Sequence, residues 1–397
     1  MESPFKICIP DSVLEQLQQK LATTVLPDEL DDAGWDYGAP LPDIKRLVAR
    51  WREGYDWRKQ EALLNSGMPQ FTRDIHVDGF GSLNIHYVHQ RSGVEGAIPL
   101  LFVHGWPGSF LEVQKILPLL VEGSSEYPAF HVVAFSLPGY AFSEGPKKKG
   151  FSPKQCAEVG NTLMIALGYP QYVTQGGDWG AVITRFGAHR YGPQYIKAWH
   201  TNLPMTPAPS LKRTPWTFLS TTMERTAWYD KKSSGYFKEQ STMPQTLGYS
   251  LADSPVGLLA WIYEKLVIWA GEDYHWDDDE VLTWVSVYWF SRAGPAASVR
   301  IYYEAAQEGN IFTDLPSITI PTGYSYFPNE IVRFPRRWLK APTLVFESEH
   351  KSGGHFASTE KPMELVADLR RMFGKGGPAF GVVPGKTGYA KEIKAKL

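Results

Sequence analysis

Apolar residues recur every three to four positions in two stretches near the start of the chain, residues 11–23 and residues 42–64. Asp11 stands where a helix N-cap is expected, immediately before the first of these stretches. This spacing is typical of amphipathic helices that bury one face. The pattern predicts a helical N-terminal extension over residues 1–70.

After residue 70 the period changes from about 3.6 to two, which predicts paired strands at 71–77 and 83–89 around a Gly79-Phe80-Gly81 turn. Short continuous apolar runs follow, each succeeded by Gly, Pro or a helical pattern. Such runs are typical of buried parallel strands. They predict an α/β fold with a mostly parallel sheet and helices on both faces, and lie at residues 98–103, 131–135, 172–174, 196–199, 318–320 and 343–346.

No buried strand is predicted over residues 204–303, where the stretches 258–269 and 281–290 are helical in pattern and rich in aromatic residues. A helical insertion between two strands of a parallel sheet would cover the carboxyl ends of the strands, where ligands bind. We therefore predict a helical lid. The remaining predicted units are a core in two parts, 71–203 and 304–373, and a glycine-rich flexible C-terminal tail, 374–397.

Composition removes several classes of protein. The 40 Lys and Arg nearly balance the 42 Asp and Glu, so the net charge of −2 gives no electrostatic footprint for nucleic acid. The 14 Trp, 20 Tyr and 20 Phe favour a large core, and they would also suit the wall of an apolar cavity. Cys8 and Cys156 allow neither a disulfide framework nor metal-ligand spacing, which favours a reducing compartment. Since nothing in the sequence has metal-ligand spacing and the nucleophile and base described below suffice, we predict no metal and no organic cofactor.

The ends of the chain bear on its location. The first 20 residues lack the apolar segment of a signal peptide, and no run of about 18 uncharged apolar residues predicts a membrane anchor. The C-terminal Ala395-Lys396-Leu397 is a conservative variant of the Ser-Lys-Leu peroxisomal address. We predict a peroxisomal or cytoplasmic location, with a peroxisomal import receptor as the partner that this tripeptide would engage.

The strongest chemical signal is Gly176-Gly177-Asp178-Trp179-Gly180, which follows a short strand and precedes a helical pattern. Small residues two positions before and two after a central residue are what a sharp nucleophile elbow requires. Here Asp178 takes the position that serine holds in G-x-S-x-G, so we predict a carboxylate nucleophile. The alternative is an aspartate that only caps the following helix.

Two further motifs follow buried strands. The loop His104-Gly105-Trp106-Pro107-Gly108-Ser109 corresponds to the loop that supplies one oxyanion-hole N–H in hydrolases with such an elbow. That assigns the amides of Trp106 and Trp179 as the oxyanion hole. Later, Gly353-Gly354-His355-Phe356 presents His355 as a base, with His350 as the competitor; the order nucleophile then His also matches.

Together these motifs make the chain resemble the epoxide hydrolases of the α/β-hydrolase fold, in the branch that includes microsomal epoxide hydrolase and its soluble fungal relatives. The resemblance spans roughly residues 4–373. It includes segments of that branch's N-terminal extension, namely Pro4-Phe5-Lys6-Ile7, Gly34-Trp35-Asp36-Tyr37-Gly38 and Asp56-Trp57-Arg58-Lys59-Gln60-Glu61.

The resemblance implies that Asp178 opens an apolar epoxide to a vicinal diol through an ester intermediate, which water activated by His355 then hydrolyses. Of the nearby acids Glu330, Glu347 and Glu349, it selects Glu330 as the partner of His355, although many relatives have Asp there. It also implies that two lid tyrosines donate hydrogen bonds to the epoxide oxygen. Their positions match Tyr236 and Tyr302, with Tyr303 as the alternative to Tyr302.

Other functions stay open from sequence alone. A haloalkane dehalogenase uses the same elbow and His, and would release halide rather than form a diol. A non-catalytic ligand-binding protein could also be built on this fold. The expected partners are an apolar epoxide and water, with Trp106 and Trp179 also lining the substrate site; a homodimer, and the choice between detoxification and secondary metabolism, stay open.

Overall fold

The computed structural model describes residues 2–206, 220–309 and 314–390. Its centre is one twisted sheet in the order β1-β2-β3-β5-β4-β6-β7-β8-β9. Strands β1, β2, β3 and β5 pair antiparallel, and all pairs from β5 through β4 to β9 are parallel. The strands are β1 Ser3–Phe5, β2 Gln70–Val77, β3 Gly81–Gln90, β4 Ile98–Val103, β5 Phe130–Phe135, β6 Tyr172–Gly176, β7 Ile196–Thr201, β8 Thr322–Tyr326 and β9 Leu344–Glu349.

The helices fall into groups along the chain. Those between β1 and β2 are α1 Asp11–Ala22, α2 Leu41–Glu53 and α3 Trp57–Gly67; those between β4 and β7 are α4 Leu117–Val121, α5 Pro153–Ala166 and α6 Trp179–Tyr191. Those between β7 and β8 are α7 Ser220–Trp228, α8 Gly235–Thr242, α9 Pro244–Asp253, α10 Pro255–Trp269, α11 Asp278–Trp289 and α12 Arg300–Gln307. The last are α13 Arg336–Leu339, α14 Ala357–Glu360 and α15 Pro362–Phe373.

The N-terminal segment differs from the wholly helical extension predicted. Residues 3–5 form β1, an edge strand paired with β2. The single amphipathic stretch 42–64 is two helices, because the chain turns at Gly54 and α3 restarts at Asp56, whose carboxylate accepts the Lys59 N–H. The apolar faces of these helices are buried, as their periodicity predicted.

Most predicted strands coincide with observed strands within three residues at each end, and one does not. The run 318–320 precedes the strand, which is β8 Thr322–Tyr326. Pro321 has no N–H to donate, and the ladder begins where the Thr322 N–H donates to the Thr343 carbonyl at 2.8 Å. Because the sequence of β8 is polar, a search for apolar runs does not detect this strand.

Six helices connect β7 to β8 in the described ranges, on the region predicted as the lid, 204–303. Residues 207–219 of that region lie outside the described residues, and α12 continues past its predicted end to Gln307. The unit boundaries themselves stay predictions.

The C-terminal segment packs more closely than the flexible tail predicted for 374–397. Up to residue 390 it forms turns against the core, with Ala379, Val383 and Tyr389 buried. The Ala129 N–H donates to the Gly388 carbonyl at 2.8 Å, which fastens this segment beside β5. The tripeptide Ala395-Lys396-Leu397 lies outside the described residues, and its use as an import signal stays a prediction.

Candidate active site

Asp178 lies on a strained turn between β6 and α6. Its φ of 51° and ψ of −130° place it in a region that non-glycine residues seldom adopt. A Cβ at Gly180 would lie 1.9 Å from the Val103 carbonyl oxygen, and one at Gly176 would lie 2.5 Å from the Gly180 carbonyl. The turn therefore requires small residues at these positions, which is the physical basis of the elbow pattern in the sequence.

The Asp178 carboxylate contacts two groups that the sequence motifs singled out. The Trp106 N–H donates to its Oδ1 at 2.7 Å, and its Oδ2 lies 3.2 Å from Nε2 of His355. A Cβ at Gly105 would lie 2.2 Å from Oδ1, so only glycine lets this loop approach so closely. The N–H of Trp179 belongs to the first residue of α6 and has no acceptor within the helix.

On its other side the His355 imidazole meets Glu330. Nδ1 of His355 lies 2.6 Å from Oε1 of Glu330, across a sequence separation of 25 residues, and both side chains are buried. Burial alone would lower the pKa of His355, but the nearby Glu330 and Asp178 carboxylates outweigh it and hold that pKa well above its usual range. We call Asp178, His355 and Glu330 the triad cluster.

The competing residues from the sequence lie elsewhere. Glu347 and Glu349 each form an ion pair with an exposed cation. His350 pairs with Asp368 at 2.7 Å and stacks on a phenylalanine ring. Glu347, Glu349 and His350 are therefore engaged away from the site. Of the three candidate acids, Glu330 alone contacts the His355 imidazole.

The two predicted lid tyrosines pack on the two predicted oxyanion-hole residues. Tyr236 of α8 stacks on Trp106 with ring centroids 5.1 Å apart, and Tyr302 of α12 meets Trp179 edge to face at 4.8 Å. The two tyrosine rings are themselves 5.8 Å apart. Tyr303, the alternative to Tyr302, is only half-buried. The lid therefore brings Tyr236 and Tyr302 together over the elbow.

The hydroxyls of these tyrosines differ in their partners. Tyr236 Oη lies 2.8 Å from Tyr229 Oη, whereas Tyr302 Oη is buried without a hydrogen-bond partner among the described residues. Burial raises the pKa of both Tyr236 and Tyr302 well above the usual range, and the charge of Asp178 adds to the effect. Both are therefore neutral phenols at physiological pH and can donate a proton or a hydrogen bond.

Sequence reasoning missed two carboxyl groups around this site. Burial raises the pKa of Glu112 to about 8, an effect that His355 opposes and Asp178 increases. A Cβ at Gly108 would lie 1.6 Å from Oε1 of Glu112, so this side chain packs against the loop of residues 104–109. The sequence feature that could have identified Glu112 is an acidic residue within the otherwise apolar run Phe110–Val113. The second missed group, Glu360, contacts the His355 loop.

A cleft of about 490 Å³ reaches the outer side of Tyr236 between the N-terminal extension and the lid. The ammonium of buried Lys265 lies 5.2 Å from the Tyr236 ring centroid and 4.9 Å from that of Trp261, which also lines the cleft. Part of the aromatic excess in the sequence therefore forms walls at the lid rather than the core beneath the sheet.

Neither a metal site nor a membrane span is found in the ranges 2–206, 220–309 and 314–390. In those ranges, His, Cys, Asp and Glu side chains form no group of three or more that could hold a metal ion. No helix there is both long enough and apolar enough to cross a bilayer.

Comparison with known proteins identifies the family. The family model described as "Epoxide hydrolase N terminus" matches residues 2–113, and the model for the alpha/beta hydrolase fold matches residues 98–231. "Epoxide hydrolase 1" of Sus scrofa is 34% identical over 413 aligned residues, covering 94% of this chain and 88% of the relative. The chain belongs to the epoxide hydrolases of the α/β-hydrolase fold.

Solved structures agree with this assignment. The epoxide hydrolase of Aspergillus niger has a TM-score of 0.82 and 34% identity, covering 93% of this chain and 95% of that one. Juvenile hormone epoxide hydrolase from the silkworm Bombyx mori has a TM-score of 0.84 and 29% identity, covering 93% of both chains. The family, fold class and enzyme class expected from the motifs of this epoxide hydrolase are confirmed, and the roles of its site residues stay proposals.

Proposed function

We propose that this epoxide hydrolase converts an apolar epoxide and water to a vicinal diol through a covalent ester on Asp178. The observation that carries the proposal is the position of the Asp178 carboxylate. It receives the Trp106 N–H on one oxygen and faces the His355 imidazole with the other, beneath the paired rings of Tyr236 and Tyr302. That arrangement supplies a nucleophile, a base and acids around one small space.

In the first step a carboxylate oxygen of Asp178 attacks a ring carbon of the epoxide. One C–O bond of the ring breaks, an ester forms, and the ring oxygen leaves as an alkoxide. A hydroxyl of Tyr236 or Tyr302 gives the alkoxide a proton. The Tyr302 hydroxyl, buried without a hydrogen-bond partner among the described residues, gains one when the epoxide oxygen arrives.

Ester formation also changes the state of His355. In the free enzyme its raised pKa depends on two carboxylates, and alkylation neutralises Asp178, one of the two. The imidazolium then loses its proton to the tyrosinate left by the first step. Neutral imidazole is the form that a general base requires, so the first step prepares the second.

In the second step His355 takes a proton from water, which attacks the carbonyl carbon of the ester. The Trp106 and Trp179 amides stabilise the tetrahedral oxyanion, and Glu330 stabilises the imidazolium. Collapse breaks the acyl C–O bond, and the departing diol oxygen takes the proton from His355. Asp178 is then a carboxylic acid, and its proton passes to His355, which restores the carboxylate and the imidazolium of the free enzyme. The net reaction is epoxide plus water to diol.

An uncharged, apolar substrate suits the surroundings of the triad cluster. The groups facing Asp178 from the lid are aromatic rings, including Trp269, which lies 5.0 Å from the His355 ring and 5.1 Å from the Tyr236 ring. Such walls bind apolar groups well and offer little to a charged ligand.

A single turnover in ¹⁸O-labelled water, with enzyme in excess over styrene oxide, tests this proposal. Water attacks the ester carbonyl in the proposed reaction, so the label should enter the Asp178 carboxylate and the first diol should contain none. Mass spectrometry of the diol and of the peptide containing Asp178 measures both. Label in the first diol, with an unlabelled peptide, would mean direct attack of water on the epoxide and would refute the ester mechanism.

A further inference from the structure

Glu360 holds the loop that carries His355. Its Oε2 accepts the Gly354 N–H at 2.8 Å, and its Oε1 accepts the Phe356 N–H at 2.7 Å. These two amides flank His355 directly. Oε2 also accepts the Gly271 N–H at 2.6 Å, from the segment that follows α10 of the lid. One carboxylate therefore joins the His355 loop to the lid.

The same two segments touch along their backbones. The His355 N–H donates to the Trp269 carbonyl at 3.0 Å. A Cβ at Gly354 would lie 2.4 Å from that carbonyl oxygen, and one at Gly271 would lie 2.8 Å from Cα of Gly353. Glycines at these positions let the lid segment and the loop pack backbone to backbone, so a shift of either one moves the other.

Burying the Glu360 carboxylate costs free energy, which its hydrogen bonds to the loop must offset. Glu360 is nearly inaccessible, and burial raises its pKa to about 7 against the opposing effect of its three N–H donors. Hydrogen bonds from N–H groups to an ionised carboxylate are roughly twice as strong as neutral ones, and here they satisfy both oxygens. The arrangement fixes the direction in which His355 leaves the backbone.

We infer that Glu360 is a positioning residue that holds His355 in register with the lid segment after α10, and so acts on hydrolysis of the ester rather than on its formation. This inference rests on the proposed function, in which only the second step needs His355 as a base. Asp178 lies on a different loop, after β6, and its carboxylate is held by the Trp106 N–H instead. A substitution at Glu360 should therefore change the rate of ester hydrolysis and not the rate of ester formation.

Glu360→Gln tests the inference. An amide has one acceptor oxygen, so at least one of the three N–H groups that Glu360 now accepts would face an N–H₂ donor instead. Glu364→Gln is the matched control, since it removes the same charge four residues away, in the first turn of α15. Rapid-quench intact-mass measurements with styrene oxide give the rates of alkylation and ester hydrolysis, and amide hydrogen exchange reports on residues 269–274 and 352–357.

We expect Glu360→Gln to slow ester hydrolysis by about tenfold to a hundredfold and to change alkylation by less than about twofold, because misplacing a base costs rate only in its own step. Alkyl-enzyme should accumulate, and both peptides should exchange faster than in Glu364→Gln. Glu360→Asp, which keeps the charge but is one methylene short, should give a smaller effect in the same step and serves if the glutamine variant fails to fold.

The inference is overturned if hydrolysis keeps its wild-type rate in a folded Glu360 variant, or if both half-reactions slow equally, as they would for a purely structural residue. Failure of the proposed mechanism would look different. His355→Ala would then turn over without any covalent adduct, whatever residue stands at position 360.

Discussion

Burial sets the protonation states of the side chains around Asp178. It raises the pKa of Tyr236 and Tyr302 and keeps both neutral, whereas the Glu330 and Asp178 charges overcome burial at His355 and keep the imidazole protonated. In the proposed reaction these two neutral phenols are the donors above the Asp178 carboxylate. Each group is in the form that the first proposed step requires.

Tyr302→Phe should slow alkylation by styrene oxide by about a hundredfold, the usual cost of losing one donor to a developing oxyanion. It should change the free energy of unfolding little, because the Tyr302 hydroxyl makes no hydrogen bond of normal length among the described residues. Stopped-flow quenching of tryptophan fluorescence measures the alkylation rate, and urea unfolding measures stability.

Tyr303→Phe is the control for this substitution, since it removes the same hydroxyl from the neighbouring, half-buried residue. It should alkylate at the wild-type rate. An unchanged rate in Tyr302→Phe would remove Tyr302 from the site, and a slow Tyr303→Phe would show that the second lid tyrosine had been assigned one position too early.

Helices and strands were predictable where periodicity was strong and unpredictable where tertiary contacts decided. The apolar runs of β4 and β5 and the amphipathic face of α2 give clear patterns. Strand β8 is polar because its Ser325 hydrogen-bonds to His200 and Asp368, a network that no local pattern reveals. Strand β1 has three residues and exists through its pairing with β2.

The site shows the same division. Asp178 and His355 could be predicted because each lies in a glycine-rich motif whose backbone geometry needs those glycines. Glu330 and the lid tyrosines needed a family resemblance, because nothing nearby in sequence marks them. Glu112 and Glu360 were missed, since their significance depends on backbone groups that only the folded chain brings to them.

Asp368 ties three elements together and should make stability pH-dependent. Burial opposes its ionisation, but hydrogen bonds from His350 and Ser325 prevail and lower the pKa of Asp368 from 3.8 to about 2. A lowered folded-state pKa contributes stability above the unfolded value of 3.8, and that contribution is lost as pH falls through about 2. The shift corresponds to about 2 kcal/mol.

Asp368→Asn should therefore be less stable than wild type at pH 5 by about 2 kcal/mol or more, because the Asn also loses its charge-assisted hydrogen bonds. The difference should shrink as the pH is lowered from 4 toward 2, as measured by urea unfolding. Asp253→Asn, at an exposed ion pair, should differ little from wild type throughout. A difference for Asp368→Asn that is constant with pH would contradict this account.

Across the whole molecule, the N-terminal extension and the core both hold the lid in place. Arg50 of α2 pairs with Asp279 of α11, and the Tyr263 hydroxyl of α10 donates to Asp43 of α2 at 3.0 Å. From α11, the Trp284 ring N–H also donates to the Pro107 carbonyl, in the loop of residues 104–109 of the core. The extension that distinguishes this branch therefore fixes the helices over the strand ends.

The near-zero net charge agrees with this arrangement. Lid and extension meet through ion pairs between arginines of the extension and aspartates of the lid, and the interior they enclose is aromatic. An uncharged epoxide needs no electrostatic steering toward such a site. The Tyr302 hydroxyl, one of several buried polar groups without a hydrogen-bond partner among the described residues, is the donor proposed to meet the substrate oxygen.

The central claim is that Asp178 becomes esterified and that His355 is needed to release it. Intact-mass spectrometry of His355→Ala after mixing with styrene oxide tests it most directly. We predict that each chain gains the mass of one epoxide and keeps it, that Asp178→Asn gains none, and that His350→Ala, which alters the competing histidine, turns over without accumulating adduct. An unmodified His355→Ala chain that still forms diol would contradict the mechanism.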